Sequence, residues 1–186
     1  MKNITTLFFI FIAMNMNAQE NANDKLPYYE IPEHAETYNA GTVAARMVDG
    51  LGFRYYWATE GLRAEDLIYK PGETSRTSSE TLDHILGLSN FILNSIADEK
   101  SKKEEKELSF EEKRKLTLIN FEKASKILRV TDDISQFDNS RFPFWNIING
   151  PIADALWHCG QIVLLRRSSG NPFNSKVSVF AGKLRE

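Results

Sequence analysis

One cysteine, Cys159, stands in 186 residues, so no disulfide can close within the chain and no cysteine-built zinc module can be assembled. Histidine is nearly as scarce. His34, His84 and His158 are the only three, so a metal held by this chain must be taken by imidazoles and carboxylates. An excess of one charge is also missing: 23 Lys and Arg oppose 25 Asp and Glu, for a formal net charge of −2. No strong positive field collects phosphates, and the chain does not read as a nucleic-acid binder. No stretch reaches the roughly 20 apolar residues that cross a bilayer, and the one N-terminal apolar run falls far below that length. What remains, 42% hydrophobic and 26% charged, is the balance of an ordinary globular protein, and this length predicts one domain.

The N-terminal run reads as an address. Lys2, the apolar stretch from Leu7 to Met14, and the small and polar residues ending Asn17-Ala18-Gln19 follow the order of a secretory signal. Residues 1–18 are therefore expected to be a signal peptide cleaved after Ala18, leaving a periplasmic or secreted protein with no membrane attachment. An uncleaved anchor is the alternative, disfavoured by the shortness of the run. No cysteine at the boundary points to a lipid anchor. Residues 19–36 read as an extended segment, and 37–186 as the folded domain with a short tail.

Within that domain the period is helical. Val43, Met47, Leu51, Tyr55, Ala58 and Leu62 recur at three- and four-residue spacing and predict a first helix over Tyr38 to Leu62. Its glycines cost about 1 kcal/mol each against alanine, so close packing or a kink is expected to compensate. Pro71-Gly72 marks a loop. Thr77 to Glu80 and Ser109 to Glu112 each have the spacing that satisfies free amides at a helix start, predicting a second helix to Ala97 and a third to Val130. Between them, Asp98 to Glu107 has no apolar residue to anchor it, and it is long enough to join either parallel or antiparallel neighbours. A last helical segment lies between Phe144 and Ser169; Pro151 places its start at Asn149 or Gly150. Four such helices without a convincing strand pattern predict an all-α four-helix bundle. The tail, Lys176 to Phe180, is too short to assign.

Two histidines lie where chemistry is feasible. Asp154 and His158 are four apart, about 40 degrees in projection, so both reach one point beside the last helix. His84 lies at the edge of the buried stripe of the second helix, and adjacency of those helices brings two imidazoles and a carboxylate together. Three protein ligands with an open position suit a catalytic transition metal, here zinc, nickel or iron. The plainer reading stands beside it: a histidine at the edge of an apolar stripe is often structural, and Asp154 near a helix start is stabilised without any metal. His34 reads as exposed. Cys159 reads as a small buried hydrophobe, with a link between two chains as the alternative.

The segment Asp154-Ala155-Leu156-Trp157-His158-Cys159-Gly160-Gln161-Ile162, followed by Leu165-Arg166 and Gly170, resembles the last-helix His-x-x-x-His-x-Gly-Gln signature of the DinB-like superfamily. Thr81-Leu82-Asp83-His84-Ile85-Leu86 is similar to its second-helix histidine motif. The resemblance covers nearly all of the mature chain in element order. It implies an up-down-down-up bundle, often dimeric, with a divalent metal held between helices by three histidines. By position the ligands are His84, Asp154 and His158, with aspartate in the middle place where the family has histidine, which gives a harder and more anionic site. Relatives of known activity are metal-dependent thiol transferases or isomerases, and some resemble hydrolases; the resemblance supplies no substrate.

Glu60, beside Tyr56 and Trp57, is a catalytic candidate, as a general base or fourth ligand if that helix end faces the metal, with an outward glutamate as the alternative. Phe142, Phe144, Trp145 and Trp157 are expected to wall a pocket or to lie in the core or a dimer interface. Arg166-Arg167 suits a helix C-terminus. The expectation is an exported, metal-binding bundle that acts as a metal-dependent hydrolase or thiol transferase on an unidentified small molecule. The alternative is a metal-free envelope binding or stress-related protein acting through its bundle pocket or dimer face.

Overall fold

The computed structural model describes residues 26–100 and 106–186; the expected signal peptide lies outside the described residues. The chain is mostly helical. Helix α1 is Ala40–Thr59, α2 is the single turn Ala64–Ile68, α3 is Ser78–Ile96 and α4 is Phe110–Arg129. A 3₁₀ turn at Ile134–Phe137 precedes α5, Trp145–Ile147, which runs through a π turn, Ile148–Ile152, into α6, Ala153–Ser168. Two antiparallel strands, β1 Val177–Ser178 and β2 Lys183–Leu184, close the chain, with Val177 opposite Leu184.

Local side-chain chemistry sets the helix starts. Thr77 accepts from the Glu80 amide while Glu80 accepts from the Thr77 amide, and Ser109 and Glu112 repeat the exchange. Both lie where the sequence spacing predicts. Asn39 and Thr42 form the same reciprocal cap on α1, a Thr variant that begins the helix two residues later than its apolar period indicates.

The last helix differs from expectation. Pro151 was expected to mark its first turn, yet helical backbone begins at Trp145 and passes through Pro151 by a π turn. Proline lacks the amide of an ordinary α turn and its ring crowds the carbonyl four residues back; the wider turn relieves both.

Helix α1 packs against α4 and α6, and α3 packs against the same two. Val48, Leu51, Tyr55, Ile85, Ile92, Leu118, Phe121, Leu128, Ile152 and Ile162 are sealed from water between them. Paired contacts give the directions. Thr59 meets Arg114 at one end of α1, and Gly41 faces Leu128 at the other, so α1 and α4 are opposed. Asp83 to Lys113, 2.6 Å, and Asn90 to Asn120, 2.8 Å, rise together, so α3 and α4 run the same way. His84 meets His158 while Phe91 meets Phe142, so α6 opposes α3.

Close approach answers for Gly41 and Gly52, two of the three glycines of α1. A Cβ at Gly41 would strike the Leu128 and Thr131 carbonyls, and one at Gly52 would stand 2.5 Å from ring carbons of Tyr28. Tyr28 is buried, takes a left-handed backbone at φ 73°, and donates its hydroxyl to the fully buried Asp49, 3.3 Å away. Arg129 donates to the same carboxylate and to the Glu33 carbonyl, so the segment ahead of α1 is held on the helices. Gly52→Ala is expected to cost about 1–3 kcal/mol by forcing this ring outward. A melting temperature equal to or above the parent's would show that the contact is not tight.

Beyond α1 the chain is tied by a polar knot. Asp66, fully buried, accepts from Arg63, from the Ser169 hydroxyl at 2.5 Å and from the Asn171 amide at 2.6 Å. The Arg63 guanidinium and these donors hold its carboxyl well below the usual carboxylate range. A depressed folded-state pKa stabilises the native protein fully above the unfolded value of about 4, and this contribution is lost as pH falls below it toward the folded pKa. Asp66→Asn should therefore flatten the fall in unfolding free energy between about pH 5 and 2. An unchanged slope in urea titrations across that range would remove Asp66 as the source.

Candidate metal centre

His84 projects from the second turn of α3, while Asp154 and His158 occupy the first two turns of α6 immediately after the π turn. The π turn matters for the alignment: one residue more or less in a helix rotates everything after it by about 100 degrees. With this register, Asp154 stands between the imidazoles. Its Oδ2 is 3.1 Å from His84 Nε2 and its Oδ1 is 3.3 Å from His158 Nε2. The two rings meet edge to face, with centroids 4.6 Å apart and planes at 89°.

His158 is oriented from behind. Its Nδ1 lies 2.8 Å from Gln161 Oε1, and with that amide oxygen accepting from Nδ1, Nε2 is the ring nitrogen left on the side of Asp154 and His84 to serve as a metal ligand. Gln161 is three residues on, the spacing at which helical side chains meet. It lies within the resembling segment, but its purpose emerges only from this bond.

These three residues fit a transition ion. One ligand atom from each lies within 4.8 Å of the other two. Nitrogen and oxygen ligands stand roughly 2.0–2.2 Å from zinc, so atoms sharing one ion lie within about 4.4 Å of one another, and small rotations close the difference. Among the described residues this is the one such cluster of histidine, cysteine and acid. It opens onto a cavity of about 630 Å³, lined also by Pro71, Ser75 and Arg76 ahead of α3 and by Leu164 and Leu165 of α6. That volume suits a small molecule.

Other expected positions fall elsewhere. Glu60 is not brought to the triad: it is the residue that ends α1, its carboxylate accepts from Arg114 at 2.6 Å, and it does not line the cavity. The ion pair across to α4 is the physical reason, since it fixes Glu60 on the α1–α4 side. His34 is exposed, as expected. Cys159 is buried and its thiol is pushed up to about 12 by burial, which makes it a packing residue rather than a nucleophile. Phe144 is in the core, whereas Trp145 and Trp157 are exposed and neither lines the cavity. Arg166 does more than suit a helix end: buried beside the C-terminus of α1, it donates to the carbonyls of Trp57, Ala58 and Glu60.

Comparison with family models, with curated proteins and with solved structures returned no match in any of the three.

Proposed function

We propose that this is an exported DinB-like protein, an up-down-down-up four-helix bundle that holds a divalent transition metal, zinc, nickel or iron, on His84, Asp154 and His158 and uses it as a hydrolase or thiol transferase. The observation that carries the reading is the convergence of two imidazoles and one carboxylate from α3 and α6 at the floor of an open cavity. The opposed and parallel pairings of α1, α3, α4 and α6 support the bundle topology. Exposed Trp145 and Trp157 offer apolar surface for the homodimer implied by the resemblance.

The chain's own residues set the terms of the reaction. Gln161 keeps His158 in the tautomer that presents Nε2, Asp154 contributes one negative charge, and the cavity leaves room for a substrate beside them. A bound divalent ion supplies Lewis acidity, which makes water or a thiol nucleophilic near neutral pH. Export favours water as the co-reactant, because the small thiols used by relatives belong to the cytosol.

One specific observation favours a second reading. The triad also closes on itself, with Asp154 hydrogen-bonded to His84, so it can be a structural link in a metal-free binding protein. Elemental analysis of residues 19–186, purified without a histidine tag, separates the two. About one equivalent of zinc, nickel or iron, with a melting temperature that falls on chelation, is the expected result. A protein that is metal-free, takes up none of these ions and melts unchanged with chelator supports the structural link.

A further inference from the structure

The cavity is not neutral ground. Asp154 is the one carboxylate among its described lining residues, and it is engaged by both histidines. Arg76 is in the opposite position. It lines the same cavity as an exposed side chain and forms no hydrogen bond or ion pair among the described residues. Three arginines that gather at the C-terminal end of α1 are committed by contrast: Arg63 to Asp66, Arg114 to Glu60 and Thr59, Arg166 to backbone carbonyls. An arginine left unpaired beside a metal-ligating triad is a ready partner for a carboxylate or phosphate, which its planar fork binds with two parallel hydrogen bonds. Leu164 and Leu165 add apolar lining to the same cavity, with Leu164 largely exposed despite its type.

Resting on the metal-centre reading above, we infer that the substrate is a small amphiphilic anion carrying two polar groups: one meets the ion on His84, Asp154 and His158, a carboxylate or phosphate beyond it pairs with Arg76, and an apolar portion lies on Leu164. Arg76 is thereby a specificity-determining residue. It has no part in holding the metal, since it donates hydrogen bonds and offers no ligand atom. Once Asp154's charge is offset by the ion, the cavity is net positive, and dianions are drawn into it over monoanions and neutral molecules.

Cobalt(II) provides a readout apart from activity, because its visible spectrum reports ligands entering its coordination sphere. The cobalt-loaded protein is titrated with three probes: 2-benzylsuccinate, which has both carboxylates and an apolar ring; 3-phenylpropionate, which lacks the second carboxylate; and succinate, which lacks the ring. 2-Benzylsuccinate is expected to bind about tenfold more tightly than either. In Arg76→Gln its advantage over 3-phenylpropionate should vanish while cobalt content and 3-phenylpropionate affinity stay at parent values, and Arg76→Lys should restore part of it. Leu164→Ser should reduce the advantage over succinate alone. A parent that loads cobalt but binds benzylsuccinate and phenylpropionate equally, or an Arg76→Gln variant that keeps the preference, overturns this inference and leaves the metal centre standing. A parent that fails to take up cobalt overturns both, through the metal measurement itself.

Discussion

Replacing Arg166 with methionine lowers the free energy of unfolding by about 3–5 kcal/mol, a large fraction of what holds a protein of this size together. The guanidinium is buried and distributes its donors over Trp57, Ala58 and Glu60 at the end of α1 and over Asn171 beyond α6. Desolvation pulls its pKa down, and nearby Asp66 and Glu60 oppose that. Helix ends leave four carbonyls without partners, and here one side chain supplies carbonyls at the end of α1 and ties them to Asn171 beyond α6. Methionine fills much of the volume but donates nothing, so buried carbonyls lose both the arginine and access to water. Arg167→Met, one residue on and exposed, is the control and should stay within about 0.5 kcal/mol of the parent. Urea unfolding followed by circular dichroism decides it. An Arg166→Met midpoint matching that of Arg167→Met would mean that the carbonyls find water.

His158→Ala is expected to have the largest effect on metal. Removing one of three protein ligands leaves only Asp154 on α6 and His84 on α3, two donors, too few for a tight transition-metal site. Competition with a chromophoric chelator should show affinity for zinc reduced at least about 100-fold, and His84→Ala should do the same. Gln161→Leu tests the support rather than the ligand. It deletes the acceptor of the His158 Nδ1 hydrogen and should weaken binding by about 10- to 100-fold. Full metal occupancy in His158→Ala would mean that the ligands have been misassigned. Circular dichroism of the variants guards against simple unfolding, since His158 is half-buried at the margin of the sealed core.

Much of this was legible before any coordinates. The start of α3 at Thr77 and that of α4 at Ser109 were written in the Ser/Thr-x-x-Glu spacing, because capping is a contact between residues three apart. The i, i+4 pairing of Asp154 with His158 was equally local. The approach of His84 to both was conditional, since it depends on whether α3 and α6 are neighbours. Glu60 shows the limit. Its type and its aromatic company were compatible with a site, but nothing near it in sequence announces Arg114, which lies on another helix and takes its carboxylate.

By itself, then, the sequence determined what local spacing and composition can determine: a mostly helical chain without an internal disulfide, the starts of α3 and α4, a buried Cys159 and a pair of metal-type ligands on one helix face. The tertiary structure decided what depends on contacts between distant residues. It carried Pro151 through a π turn instead of letting it begin the helix, brought His84 to within 3.1 Å of Asp154 across seventy residues, set Arg76 on the cavity wall with no partner among the described residues and buried Arg166 against the end of α1. The physical reason is range: helix propensity and capping act over three or four residues, whereas a site and a buried ion are placed by the packing of whole helices against one another.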